Sequence, residues 1–308
     1  LIFQSLDEIE ALLAAQDWQG VAALRSTQTQ KVKPLTFCAP LMVSGHQLKH
    51  LNKIDELPTD VIMFNLEDGV APEKKEAALH LVALFATHAH ALDKHVVVRI
   101  NPLEESGFEE IALLNSVHPD AIRIPKIEQN TPIERVPTLL HAGIDIHLSI
   151  ETAWSWNHMA QLAAIPRVTT FYLGVLDFFA QLGLDIEGVR IDNPLMHYLL
   201  SHFLITCKSH AIRPVSFVYQ EYKNLEALQA WLALEKSLGY RAKGAISPQQ
   251  AQHIIQAFAL DTEKLKKARY IVEKFEAMQA QGITGFKDEH YDFIDEPIYK
   301  ASLALLRG

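Results

Sequence analysis

The chain has 308 residues, 49% hydrophobic and 21% charged, the proportions of a packed globular protein rather than a disordered one. A net charge of −9 leaves no general excess of Lys and Arg to track phosphates, so no nucleic-acid partner is expected, while a local basic pocket for a phosphorylated small molecule stays compatible. Cys38 and Cys207 form no CxxC or disulfide framework, and no apolar run approaches the roughly 20 residues that span a bilayer; a cytoplasmic protein without membrane partners is expected.

The opening stretch, LIFQSLDEIEALLAAQ, lacks the charged-then-apolar layout of a secretory signal. Residues 5–25 read as one amphipathic helix, with Ser5 as N-cap, Glu8 completing a capping box, and Leu6, Ile9, Leu12 and Leu13 on one face. The polar stretch STQTQKVKP follows as a linker, so residues 1–36 form a helical extension. Short apolar or β-branched runs then recur at 37–43, 60–66, 94–100, 120–124, 144–150, 168–174, 212–218 and 242–246. Most of the intervals carry helical patterns, such as PEKKEAALHLVALFATHA and PLMHYLLSHFLITCKSH. Polar residues fall mainly at the ends of the runs, as in strands buried on both faces. Eight strands alternating with helices predict an α/β fold, a (β/α)8 TIM barrel over residues 37–250. An open doubly wound sheet is the rival, but no GxGxxG follows any early strand. Residues 251–308 form a mostly helical segment, too long to be only the last barrel helix. It is expected to pack outside the barrel or to reach a neighbouring subunit.

Barrel enzymes place their chemistry at the C-terminal ends of the strands. Those ends deliver Glu67 and Asp68 after the second run, Arg99 and Asn101 after the third, and Lys126 and Glu128 after the fourth. Glu151 follows the fifth run and Asp177 the sixth. Any one of these has an ordinary reading as a solvated, salt-bridged or helix-capping residue. Together they put several carboxylates and at least two cations on one rim. Carboxylates held close repel unless a proton or a cation lies between them. Oxygen ligands without a nearby Cys or His favour Mg²⁺, with Mn²⁺ as the alternative, over Zn²⁺. Glu151 and Asp177 suit that metal; Arg99, Glu67, Asp68 and Lys126 are the candidate substrate contacts.

The runs VIMFNLEDGVAPEKKEAA, VVRINP, IRIPKIE, IETA, FYLGVLDFFAQLGLD and FIDEPIYKA stand in an order and spacing that resemble the citrate lyase beta subunit and malyl-CoA lyase family, within the HpcH/HpaI aldolases. The resemblance covers roughly residues 37 to 305. It implies a magnesium-dependent carbon–carbon lyase acting on a 3-hydroxyacyl-CoA or related hydroxy acid. It further implies Glu151 and Asp177 as metal ligands and Arg99 on a substrate carboxylate or carbonyl oxygen. Asp295 would be a catalytic carboxylate supplied to a neighbouring subunit's site, in a homotrimer or hexamer. Departures from the family pattern cluster where the family handles the coenzyme A thioester. An Arg-Ser pair followed by VPG becomes Cys38-Ala39-Pro40-Leu41-Met42-Val43-Ser44-Gly45. DLED becomes NLED at Asn65, an Arg becomes Leu79, and a His becomes Ser247. An aldolase on free 2-keto acids without coenzyme A, or an acyl-CoA thioester hydrolase, is therefore kept beside the lyase. A non-catalytic subunit of a larger complex is the remaining alternative.

His88, His90 and His95 precede or open the third run, on the opposite face from the rim, and read as capping or solvated residues. Trp154 and Trp156 read equally as helix packing or as a substrate mouth. Cys38, near the start of the first run, reads as buried packing.

Overall fold

The computed structural model describes residues 1–28, 31, 36–259 and 261–307. The chain divides into two compact units, residues 1–258 and 259–308.

The first unit is built on a curled parallel sheet of seven strands in chain order. They are β1 (Pro40–Ser44), β2 (Val61–Asn65), β3 (His95–Arg99), β4 (Ala121–Ile124), β5 (Asp145–Ile150), β6 (Val168–Leu173) and β7 (Arg213–Val215). Beyond β7, residues 242–246 bond on both sides. Ser216 N–H donates to the Ala242 carbonyl at 2.9 Å, Lys243 N–H to Cys38 at 3.0 Å, and Ala245 N–H to Pro40 at 2.9 Å. The eighth apolar run is thus a pair of parallel bridges, to Ser216 on one side and to Leu41 of β1 on the other, rather than a continuous strand.

Side chains alternate across these strands, and the alternation separates two apolar clusters. Val61, Met63, Val97, Ala121, Tyr172, Val215 and Ala242 pack together inside the curl. Ile62, Phe64, Val96, Val98, Ile122, Ile146, Leu148 and Phe171 join the larger cluster under the helices. Both faces are buried, which is why the strands read as nearly continuous apolar runs. The helical patterns are realised as Lys75–Ala89 and Pro194–Ser209, the latter capped by Asn193, whose side chain accepts from Leu195 N–H at 3.0 Å.

Residues 242–246 are also held from outside the sheet. Lys243 and Glu235, both fully buried, pair at 2.7 Å, and Glu235 accepts a further bond from Ser216 Oγ at 2.6 Å. The Lys243 ammonium stands 3.7 Å from the centre of the Phe217 ring. Burial pushes the Glu235 carboxyl upward and lowers the Lys243 ammonium, each opposed by its partner.

Two expectations are corrected. The helix over 5–25 is two helices, Asp7–Ala14 and Trp18–Ala23. Gln16 takes a left-handed backbone with φ 52°, and Asp17 caps the second helix by accepting from Gly20 N–H at 2.9 Å. The Ser5–Glu8 capping box does not form: Leu6 is the N-cap, and Ser5 Oγ accepts only from Asp7 N–H at 3.2 Å. Most of the expected linker STQTQKVKP lies outside the described residues.

The second unit is not only helical. After the helix Thr262–Gln279 comes an antiparallel hairpin of β8 (Gly285–Asp288) and β9 (Asp292–Asp295), then the helix Glu296–Arg307. Ile271, Phe275 and Ile294 form its core, with Phe275 and Tyr299 stacked at 4.5 Å. No helix among the described residues is long and apolar enough to cross a membrane.

Candidate active site

Register brings the rim together. Asn65 pairs with Arg99 across β2 and β3, and Arg99 with Arg123 across β3 and β4. In-register neighbours point to the same face, so these polar residues share the inside of the curl. Glu67 and Asp68 follow β2, and Lys126 follows β4. Glu151 follows β5 directly, and Asp177 lies in the first turn of the helix Val175–Gln181 after β6, where the helix dipole favours negative charge.

Arg99 donates from Nε to Asn65 Oδ1 at 2.7 Å and pairs through Nη1 with Glu67 at 3.0 Å. Lys126 Nζ reaches Glu67 at 2.8 Å and Asp68 at 3.1 Å. Burial lowers the Lys126 ammonium, but the hydrogen bonds and charges of Glu67 and Asp68 together outweigh it and push it upward. Burial likewise raises the Asp68 carboxyl, and Lys126 and Arg99 together overcome it and hold that carboxyl low. The Lys126 backbone is left-handed, φ 50°, and its N–H donates to Glu151 Oε1 at 2.8 Å. Strain of this kind persists where several contacts over-determine a residue; here they are the bond to Glu151 and the two ion pairs. Gly174 sits so close to Glu151 that a Cβ there would fall 2.6 Å from Glu151 Oε2.

Asp68, Arg99, Arg123, Glu151 and Asp177 line one cavity of about 400 Å³, whose walls include Met42, Leu173 and Phe217. Glu67 and Lys126 are not in that lining; they hold Arg99 and Asp68 from outside it. Burial raises the Glu151 carboxyl, opposed mainly by the nearby Arg123. Burial and the negative charge of Asp68 raise Asp177. Both carboxylates therefore favour a proton or a cation. Their donor set is oxygen alone, and no group of three or more His, Cys, Asp and Glu suited to a metal exists among the described residues. Mg²⁺ fits such a place, since it is commonly held by one or two carboxylates and keeps its remaining positions for water and substrate.

Residues 40–248 match the HpcH/HpaI aldolase/citrate lyase family, and the match spans all seven strands and the rim. The chain belongs to that family. It is 28% identical over 250 residues to a (3S)-malyl-CoA thioesterase of Cereibacter sphaeroides, covering 80% of this chain and 85% of the relative. It is 28% identical over 281 residues to the citrate lyase subunit beta of Haemophilus influenzae, covering 87% and 95%. A citrate lyase structure from Burkholderia xenovorans shares the fold with TM-score 0.75 at 21% identity, over 88% of this chain and 90% of that one. The protein CitE of Mycobacterium tuberculosis, solved with magnesium, acetoacetate and coenzyme A, shares it with TM-score 0.69 at 22% identity, over 89% and 98%.

Within this family member, sequence reading passed over Arg123. The guanidinium is 6% exposed, lines the cavity, and lies 4.2 Å from the Tyr172 ring centre. The available signal was a charge between Ile122 and Ile124 in a strand buried on both faces. Asp295 ends β9, where its carboxylate caps the following helix by accepting from Ile298 N–H at 3.2 Å. His88 bonds the Leu24 carbonyl, His90 is buried, and His95 opens β3 against Phe37. Trp154 stacks on His158 and Trp156 lies against Phe178 and His202; neither lines the cavity.

Proposed function

We propose that the protein is a magnesium-dependent carbon–carbon lyase acting by retro-aldol or retro-Claisen cleavage on a 3-hydroxyacyl-CoA or related hydroxy acid. The observation that carries this reading is the pair Glu151 and Asp177 on the wall of a single cavity with Arg99, in a chain of the citrate lyase family. Glu151 and Asp177 would hold the metal, which when bound supplies a Lewis acid for charge developing on a substrate oxygen. Arg99, pinned by Asn65 and Glu67, offers a fixed cation to the substrate carboxylate or carbonyl with little reorganisation. Lys126 and Glu67 fix that cation and Asp68 at the cavity edge. Asp295 of a second copy would move the proton, in a homotrimer or hexamer. The bridges made by residues 242–246 support a closed (β/α)8 barrel as the scaffold.

Assay of acyl-CoA and hydroxy-acid substrates with Mg²⁺ tests the reading. Glu151→Gln and Asp177→Asn are each expected to lower metal-dependent kcat/KM by at least about 100-fold, as for groups contributing several kcal/mol to transition-state charge stabilisation. Full activity of both variants in chelator would overturn it. Thioester hydrolysis is a second reading, favoured by the similarity to a malyl-CoA thioesterase. Release of free coenzyme A without a cleaved carbon chain would identify it.

A further inference from the structure

Two arginines face the same cavity, and their surroundings differ. Arg99 has carboxylate and amide partners. Arg123 forms no ion pair among the described residues, though it is equally buried. Its Nε donates to Ser149 Oγ at 2.9 Å, its Nη1 lies 3.3 Å from Met63 Sδ, and its guanidinium lies over the face of Tyr172. These neutral groups orient a guanidinium without neutralising it. Pairing in register with Arg99 adds like-charge repulsion. A buried cation so placed costs stability, and an apolar side chain of similar length would fill the same space without that cost. What Arg123 has in return is access to the cavity.

The charges of the site point the same way. Glu67 and Asp68 are matched by Arg99 and Lys126 through direct ion pairs, whereas Glu151 and Asp177 remain to face a metal. Arg123 and the Glu151 carboxylate act on each other through space without an ion pair. With a divalent cation taking up the charge of Glu151 and Asp177, Arg123 is the one of these residues left without a counter-charge. Because β4 ends at Ile124 while Glu151 lies beyond the end of β5, Arg123 is placed deeper along the strands than Glu151.

We propose that Arg123 forms a carboxylate-binding subsite on the cavity floor, taking the acid group of a short 2-oxo or 2-hydroxy acid. The choice of acid rests on the lyase reading of the cavity; the anion subsite itself rests on the placement of Arg123. Planar guanidinium and carboxylate groups match in a bidentate fork, and exclusion of water strengthens the bond.

Calorimetric titration of the full-length protein in Mg²⁺ with pyruvate, and with its neutral counterpart pyruvamide, tests the subsite. Arg123→Met is expected to weaken pyruvate binding about tenfold or more, to leave weak pyruvamide binding unchanged, and to melt at or above the wild type. Arg123→Lys, which keeps the charge but loses the fork, is expected to fall between. Arg123→Gln gives the same reading should the Met variant fail to fold. Pyruvate binding by Arg123→Met within about twofold of the wild type would overturn the subsite. So would an equal loss for pyruvamide, or no binding of pyruvate to the wild type at millimolar concentration. Repeating the wild-type titration in chelator separates the two readings: persistent pyruvate binding that still depends on Arg123 contradicts the metal role but retains the subsite.

Discussion

Glu151 is fixed by its neighbours rather than by its own rotamer preference: one oxygen takes the Lys126 N–H, and the other lies against Gly174. Gly174→Ala therefore tests how tightly the position is built. The added methyl must push Glu151 aside, and displacement of a catalytic group by about 1 Å can cost 100-fold. A loss of that order in kcat/KM is the expected result, with a lowered melting temperature beside it because the methyl also overlaps the Glu151 Cβ. Cysteine chemistry gives a pH test. Burial pushes the Cys38 thiol up to about 12, and Cys207 is raised for the same reason. Both should resist iodoacetamide in the native protein at pH 8 and react once it is unfolded, read by mass spectrometry. Because the folded pKa of Cys38 is above the unfolded value of about 8.5, its contribution to stability is complete below that pH. It declines as pH rises toward 12. Arg99, Glu151 and Asp177 were legible as rim residues because each stands at or just beyond a strand end. Arg123 was not, because a charge inside an apolar run reads first as part of the strand.

Strands and long helices were legible for a different reason. Sheet residues buried on both faces produce unbroken apolar runs, and the helix Pro194–Ser209 begins at a proline preceded by Asn193. The break between the first two helices depends on Gln16 entering a left-handed conformation, which a good helix former does not advertise. The hairpin β8–β9 escaped notice because GFKD and DFID carry few β-branched residues, and pairing across Phe286 and Ile294 supplies what propensity lacks. The pair Lys243–Glu235 yields a prediction for the edge it secures. Lys243→Met leaves Glu235 buried without its cation, at a cost of about 3–5 kcal/mol in chemical denaturation. Replacing both residues with apolar ones should recover most of that loss.

Two compact units in one chain raise the question of which copy completes a site. Asp295 belongs to the smaller unit, whereas Glu151 belongs to the larger. If Asp295 serves a neighbouring copy, an inactive Asp295→Asn protein and an inactive Glu151→Gln protein should regain part of the activity when unfolded and refolded together. Mixed oligomers would then contain sites with both wild-type residues. Activity that stays at the level of the separate variants would assign Asp295 to its own chain. Nothing in the strand pattern could have settled this, since periodicity describes one chain and a shared site needs two.

The bridges from residues 242–246 to β1 carry a consequence for synthesis. β1 spans Pro40–Ser44, yet the backbone that bonds its free edge arrives about 200 residues later. Contacts of such long sequence separation form late and slow folding. Until then, the nascent chain presents an unpaired parallel edge, the kind of surface on which chains associate with one another. A translation product stopped near residue 220 would lack both the bridging residues and the Lys243–Glu235 lock. It should gather on chaperones or precipitate, while a chain that has cleared residue 246 carries the residues that cover that edge.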